Sequence, residues 1–410
     1  MSRKPRVLVH GWYGAGNVGD ELLLRMLSGW CGEAQAEVSV LSVNPEHTRA
    51  VHGLDALYAN DFPAVARLMS QADLFVLGGG GLFQTHYAFT LPTLYSYEMG
   101  DVASYARPAL MARQMGVPSL MWAQGVGPLD GDEARDVVRD VYAGASRVTV
   151  RDDVSLELLR QIGVEGEIVV APDPVWALPV DRAKNSAESR KRRLGLVIRP
   201  WEIDAGWEQH FLEAIRSEAD PSAYSLVWIP FQAGRENESS SDVPFTRSLA
   251  SQLQEYEHVF VDLADPEQAV PALGECDRLL CMRLHAQILA FKLGIPVLCV
   301  EYDPKMSRAS ELVGVPDALR VNTSATLERW QSSFAELLSE HCFVADARLV
   351  NAIGEKALQH RAVLVGAIEH LQEDGARAWR GSGFDWLGTW SAAWLHRQIG
   401  ERDGRLAVLE

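Results

Sequence analysis

Nowhere does this 410-residue chain hold an uninterrupted apolar run of about 18 residues, the length a helix needs to span a bilayer. Cysteine is scarce too: Cys31, Cys276, Cys281, Cys299 and Cys342 show no paired spacing and mostly sit in apolar runs. That argues against a zinc knuckle or a disulfide framework and for buried thiols in a reducing compartment. Positive charge is in deficit, with 38 Lys and Arg against 55 Asp and Glu and a net charge of −17. A nucleic acid or an anionic membrane held by bulk electrostatics is therefore disfavoured, while a local basic pocket would stand out. The acidic pairs, such as Asp152-Asp153, lack partners for a metal centre, so no metal is expected. The first residues are basic but carry only a short apolar run before Gly11, unlike a signal peptide. The expectation is a cytoplasmic enzyme, with a peripheral contact at the inner face of the membrane left open.

What is present fits a soluble globular protein: 47% hydrophobic and 23% charged residues, in a chain long enough for two domains. Short apolar runs alternate with helical patterns, which predicts an α/β fold with parallel sheets. The strand candidates are Val7–Trp12, Val38–Val43, Leu74–Gly78, Ser119–Gln124, Arg147–Arg151 and Ile168–Ala171. The charged, aperiodic stretch Asp181–Arg193 then reads as a linker. The rhythm restarts with Leu194–Ile198, Ser225–Ile229, Val259–Leu263, Arg278–Met282, Pro296–Val300 and Leu319–Val321. Two facing Rossmann-like domains, 1–180 and 194–325, are expected, with a helical segment over 326–410. In that segment Trp386, Trp390 and Trp394 recur every four residues and stack on one helical face. Packing on the domains or on a second subunit is the simplest use of that face, and an interfacial membrane helix is the weaker alternative.

Residues 281–305 carry the strongest functional signal. Arg283 and His285 stand where an apolar strand hands over to an apolar helix, and the next strand ends in Glu301-Tyr302-Asp303-Pro304-Lys305. The carboxyl ends of parallel strands line one crevice, where ligands bind. A helix N-terminus adds free N–H groups and a positive dipole end. Arg283, His285 and Lys305 are thus expected to meet at one anion-binding point. Singly, each would pass for a surface charge or a core histidine. Arg199, closing the first strand of the second half, falls on the same edge, and Arg151 closes a first-half strand.

Two glycine-rich loops lie in the first half. Gly14-Ala-Gly16-Asn17-Val-Gly19 is a literal G-x-G-x-x-G between a strand and a helix. A dinucleotide is disfavoured there, because the second strand ends in Ser42-Val43-Asn44 without the ribose-binding acid. Asp20 and Glu21 would also repel a pyrophosphate and read as helix N-terminal acids. Gly78-Gly79-Gly80-Gly81-Leu82-Phe83-Gln84 permits a close backbone approach to a ligand or a sharp turn. Thr85, His86 and Tyr87 follow, as sugar contacts or as an ordinary tight turn.

Read together, these pieces resemble the polysaccharide pyruvyl transferase family. The match continues through Ala123-Gln124-Gly125-Val126-Gly127-Pro128-Leu129, Val150-Arg151-Asp152, Pro172-Asp173-Pro174 and Arg199-Pro200-Trp201. It ends with Met282-Arg283-Leu284-His285-Ala286 and Tyr302-Asp303-Pro304-Lys305, in family order over roughly residues 7–315. The departures are Gly81, where a serine is common, and Gln287 inside the histidine helix.

The resemblance implies a GT-B-like fold and transfer of pyruvate from phosphoenolpyruvate to a sugar as a ketal, without a further cofactor. It maps the family's Arg-x-His pair and lysine onto Arg283, His285 and Lys305, with Arg151 and Arg199 as further phosphoenolpyruvate contacts. His285 suits the proton transfers of ketal formation, with Arg283 beside it. The acceptor, a sugar or lipid-linked saccharide, is expected at Gly14, Gly16, Asn17, Gly80, Gly81, Gln84, His86 and Tyr87. The rival enzyme is a nucleotide-sugar glycosyltransferase of the same fold, with Glu301 or Asp303 on the ribose. A non-enzymatic carbohydrate-binding protein fits the Arg-Leu-His-Ala and Asp-Pro-Lys pieces poorly.

Overall fold

Among the described residues, fourteen short strands account for most of the apolar runs, and every pairing among them is parallel. The computed structural model describes residues 3–86, 89–96, 102–181, 191–201, 206–233, 241–263 and 265–373. Eight strands build the first sheet: β1 (Arg6–His10), β2 (Glu37–Ser42), β3 (Asp55–Tyr58), β4 (Leu74–Leu77), β5 (Gly80–Phe83), β6 (Ser119–Val126), β7 (Arg147–Val150) and β8 (Val169–Val170). Their order is β3-β2-β1-β4-β6-β7-β8, with β5 paired to β6. The second sheet holds β9 (Arg192–Val197), β10 (Tyr224–Trp228), β11 (Glu257–Phe260), β12 (Arg278–Cys281), β13 (Val297–Val300) and β14 (Arg320–Val321), in the order β11-β10-β9-β12-β13-β14. Both are doubly wound sheets that reverse direction beside their first strand, the place where such sheets open a crevice. Strands β4, β6, β10 and β13 are buried along their whole length, as expected where helices cover both faces.

Two strands escape the apolar-run reading. The Asp-Ala-Leu-Tyr of β3 is too short and too polar at its ends to stand out. At β5 the glycines do not simply turn. Gly80 pairs with Gln124 and Phe83 with Val126, beyond the residues of β6 that pair with β4. Gly80 has φ 133°, a conformation open to glycine alone among ordinary residues.

The chain divides into two compact units at places the composition does not mark. One contains the residues up to Gly14, Leu23–Asp173 and those from Gln359 onward; the other contains Ala15–Leu22 and Pro174–Leu358. The expected linker therefore lies within the second unit. Of its residues, 182–190 fall outside the described ones, and Arg192 and Arg193 already form β9. There the Arg192 N–H donates to Ala223 O at 2.8 Å and the Arg193 N–H to Asp277 Oδ2 at 2.7 Å.

The described part of the expected helical segment is three helices, Leu327–Leu338, Ala347–Ala357 and Gln359–Glu373, and the last of these returns to the first unit. Helix Gln359–Glu373 is anchored there by His360, whose carbonyl accepts from Trp122 Nε1 at 3.0 Å and whose Nδ1 lies 2.9 Å from Thr149 Oγ1. Trp386, Trp390 and Trp394 lie outside the described residues. Among the described residues no helix is long and apolar enough to cross a membrane.

Candidate active site

The switch point of the second sheet lies between β9 and β12, and an arginine follows each strand there. Arg199 stands two residues past Val197, and Arg283 two past Cys281; these two strand ends pair directly. Lys305 follows β13 in the first turn of helix Pro304–Val313. All three cations thus follow strands of one sheet, within a single unit.

The three cations are not equivalent. Arg283 is held by Asp242, with Nε donating to Oδ2 at 3.2 Å and Nη2 donating to Oδ1. Asp242 is fully buried and also accepts from the Gln232 N–H at 2.9 Å. Burial pushes this carboxyl upward, and Arg283 works against that push. Three N–H donors on its two oxygens fit the carboxylate form. Lys305 Nζ lies 3.1 Å from Asp303 Oδ2.

Arg199 has no carboxylate partner among the described residues. Its guanidinium lies over the rings of Trp201, at 5.5 Å, and Tyr302, at 5.3 Å, and its Nη1 donates to the Tyr302 hydroxyl at 3.3 Å. Its Nε also donates to Pro200 O at 3.3 Å, which leaves the Nη2 donors for an anion's oxygens.

Tyr302 has no place among the expected site residues, although it lies inside the Tyr-Asp-Pro-Lys motif. Its ring packs on Trp201 with centroids 4.5 Å apart, and Lys305 Nζ stands 5.8 Å from its centre. Burial would raise its phenol pKa, but Lys305, Arg199 and Arg283 together bring it below the usual tyrosine value. Its signal in the sequence was an aromatic amid cations at a strand exit.

His285 opens helix Leu284–Lys292, whose first turn has no side-chain cap. Its uncapped N–H groups remain suited to an anion. The imidazole lies against Gly19: a Cβ built there would fall 1.8 Å from His285 Nδ1. No heavy atoms approach that closely, so only glycine fits. Gln287, one of the departures from the family pattern, is buried. It donates through Nε2 to Met306 O at 3.2 Å and Ser310 Oγ at 2.8 Å, tying the histidine helix to the Lys305 helix.

Gly16 and Asn17, expected on the acceptor side of the first domain, belong to the second unit. Their loop pairs with Phe231–Ala233 by edge hydrogen bonds. The Val18 N–H donates to Phe231 O at 2.8 Å, the Ala233 N–H to Gly16 O at 3.0 Å, and Gln232 Nε2 to Ala15 O at 2.7 Å. Asn17 Oδ1 accepts from the Gly19 N–H at 3.0 Å and so caps helix Val18–Glu33. Gln232 therefore links this loop to Asp242, and Asp242 holds Arg283. A ring of contacts closes from Gly19 through Gln232 and Arg283 back to His285.

Gly14, in the first unit, serves packing. It has φ 82°, and a Cβ there would fall 2.2 Å from Ser42 Oγ. The switch point of the first sheet is filled by the chain's own side chain: a Cβ on Gly78 would fall 1.8 Å from the hydroxyl of the fully buried Tyr13. A pyrophosphate has no room where that ring lies, which adds a steric reason to the missing ribose acid.

The other first-unit candidates separate in the same way. The side chain of Arg151 is largely covered, donates to Asp173 Oδ2 at 3.3 Å, and rests on Gly125, where a Cβ would fall 2.5 Å from Nε and Nη2. At Gly81 a Cβ would lie an ordinary 3.5 Å from Arg151 Nη2, so a serine would fit and this departure from the family pattern is small. Gln84 is half-buried and His86 exposed, and Tyr87 lies outside the described residues. Thr85 is a structural tie, its N–H donating to Pro128 O at 2.9 Å.

The histidines at the cores of the sheets are poor acid–base candidates. Burial pushes His10 and His360 down to about 4, and both contact backbone carbonyls.

The sequence model described as polysaccharide pyruvyl transferase matches residues 17–304. Among solved structures, the chain is similar to a UDP-N-acetylglucosamine 2-epimerase (described as putative) from Listeria monocytogenes, with 11% identity, TM-score 0.57, and coverage of 90% of this chain and 98% of that one. The S. aureus MnaA–UDP co-structure aligns at 14% identity and TM-score 0.56 over 93% and 100%. UDP-GlcNAc 2-epimerase from Neisseria meningitidis, bound to UDP-GlcNAc, aligns at 12% and 0.53 over 91% and 99%. These likenesses bear on the fold, which is α/β and GT-B-like.

Proposed function

The chain belongs to the polysaccharide pyruvyl transferase family, and on that premise we propose that it moves pyruvate from phosphoenolpyruvate onto two hydroxyls of a sugar, forming a ketal and releasing phosphate. The observation that carries this reading is the cation set Arg199, Arg283 and Lys305 gathered with His285 at one sheet edge. Phosphoenolpyruvate bears a phosphate and a carboxylate, and the remaining Nη2 donors of Arg199 suit either group. Arg283, already held by Asp242, contributes a fixed positive field rather than a free fork. His285 gives a proton to C3 and takes one from the attacking hydroxyl. The acceptor is a sugar of a surface polysaccharide or of its precursor. In the first unit, Gly80, Gly81, Gln84 and His86 are the acceptor candidates, and Arg151 is a further anion contact.

A nucleotide-sugar glycosyltransferase is the second reading, and the acids it would use are engaged. Glu301 accepts from Arg320 Nε and Nη2 at 2.8 and 3.0 Å and from Ser307 at 2.8 Å. Asp303 caps helix Pro304–Val313 and holds Lys305.

The deciding experiment incubates the pure protein with phosphoenolpyruvate or with sugar nucleotides, over a panel of saccharide acceptors. Phosphate release with a pyruvylated product is expected; nucleotide release with a glycosylated product would favour the rival. In the same assay, Arg199→Ala is expected to weaken phosphoenolpyruvate binding by about ten- to a hundredfold, the worth of one charge-assisted hydrogen bond. Calorimetric affinity equal to wild type would remove Arg199 from the donor site.

A further inference from the structure

Ketal formation moves two protons, and His285 accounts for one exchange. Attack by the first hydroxyl on C2, with its proton delivered to C3, leaves phosphate still bonded to C2. When that C2–O bond breaks, the electron pair departs on the phosphate. From a dianionic ester it would leave as the trianion, a poor leaving group near neutral pH. The second sugar hydroxyl must also lose its proton as its oxygen bonds to C2. A donor for the first of these steps and an acceptor for the second are still required.

We propose that Tyr302 fills both roles: its hydroxyl gives its proton to the bridging oxygen as phosphate leaves, and the phenolate takes one back from the second sugar hydroxyl. The step balances, since that hydroxyl's proton ends on phosphate by way of the phenol. The proposal rests on the phosphoenolpyruvate reading and adds a residue to it.

Three observations carry it. First, the hydroxyl oxygen accepts from Arg199 Nη1, and among the described residues no acceptor takes its own proton, which stays available for donation. Second, the ring is fixed by Trp201, Arg199 and Lys305, so the hydroxyl is held in one place beside the cations proposed to bind the phosphate. Third, the charges acting on the phenol come from separate elements. They are Arg199 at the end of β9, Arg283 at the end of β12 and Lys305 after β13, with Asp242 and Asp303 as the counter-charges of the latter two. The cations outweigh burial and bring the phenol below the usual tyrosine range. A phenolate formed in the step is stabilised by the same cations.

Tyr302→Phe keeps the ring and removes one oxygen. With phosphoenolpyruvate and the panel sugar that wild type converts fastest, its kcat is expected to fall about 10²–10⁴-fold, the usual loss for an acid–base group. Calorimetric affinity for phosphoenolpyruvate should change by less than about tenfold, because no cation is lost. Wild-type activity should decline on the alkaline side as the phenol ionises, and 3-fluorotyrosine at position 302, a more acidic phenol, should move that decline to lower pH.

A wild-type kcat in a folded Tyr302→Phe variant, or an alkaline decline that 3-fluorotyrosine leaves in place, overturns the assignment. Wild-type protein that releases no phosphate from phosphoenolpyruvate with any acceptor strikes down the underlying reading instead, and the role of Tyr302 with it.

Discussion

Gly19→Ala is expected to lose as much turnover as His285→Ala, about 10²–10⁴-fold, although position 19 carries no reactive group. The added Cβ would claim a point 1.8 Å from Nδ1, so the imidazole must swing away or the loop must lift. The loop is poorly free to lift, because Ala15, Gly16 and Val18 are all hydrogen-bonded to Phe231–Ala233. Combining the two substitutions should cost little more than either alone, since a displaced imidazole and a missing one fail in the same way. Steady-state kcat for the two single variants and the double variant makes the check. Near wild-type turnover in Gly19→Ala would mean the loop yields and does not hold the ring.

Arg283→Ala is expected to act on stability before chemistry. It leaves the fully buried Asp242 carboxylate without its ion-pair partner, and breaking a buried pair in this way costs about 3–5 kcal/mol. Denaturant unfolding should therefore show a clear loss for Arg283→Ala, and a smaller one for Arg283→Ala combined with Asp242→Asn, which removes the stranded charge. Arg199→Ala, which strands no carboxylate, provides the contrast. Equal stability of the Arg283→Ala and wild-type proteins would show that Asp242 finds another partner or a proton.

The strand exits of the second sheet were legible because the apolar runs at β9, β12 and β13 give way to polar residues at one sheet edge. Arg199, Arg283, His285 and Lys305 could be read from that pattern, since parallel strands align their carboxyl ends. Pairing between charges could not be read. Asp242 is 41 residues from Arg283 and follows an ordinary serine, so nothing local marks it as the partner. The glycine loop misled for a related reason. Its sequence joins it to β1, but its hydrogen bonds join it to Phe231–Ala233, a contact more than two hundred residues away. The return of Gln359–Glu373 to the first unit was hidden in the same way, because His360 resembles any helical histidine until Thr149 and Trp122 stand beside it.

Gln287 gives the site a common fate. Its amide spans the helix bearing His285 and the helix bearing Lys305, and it is buried where water cannot take over those hydrogen bonds. A fluctuation that frays one helix breaks the strut and releases the other. Local opening of the two is then coupled by the worth of those bonds rather than independent. Partly assembled states, able to bind an anion but not to move a proton, are disfavoured by that coupling.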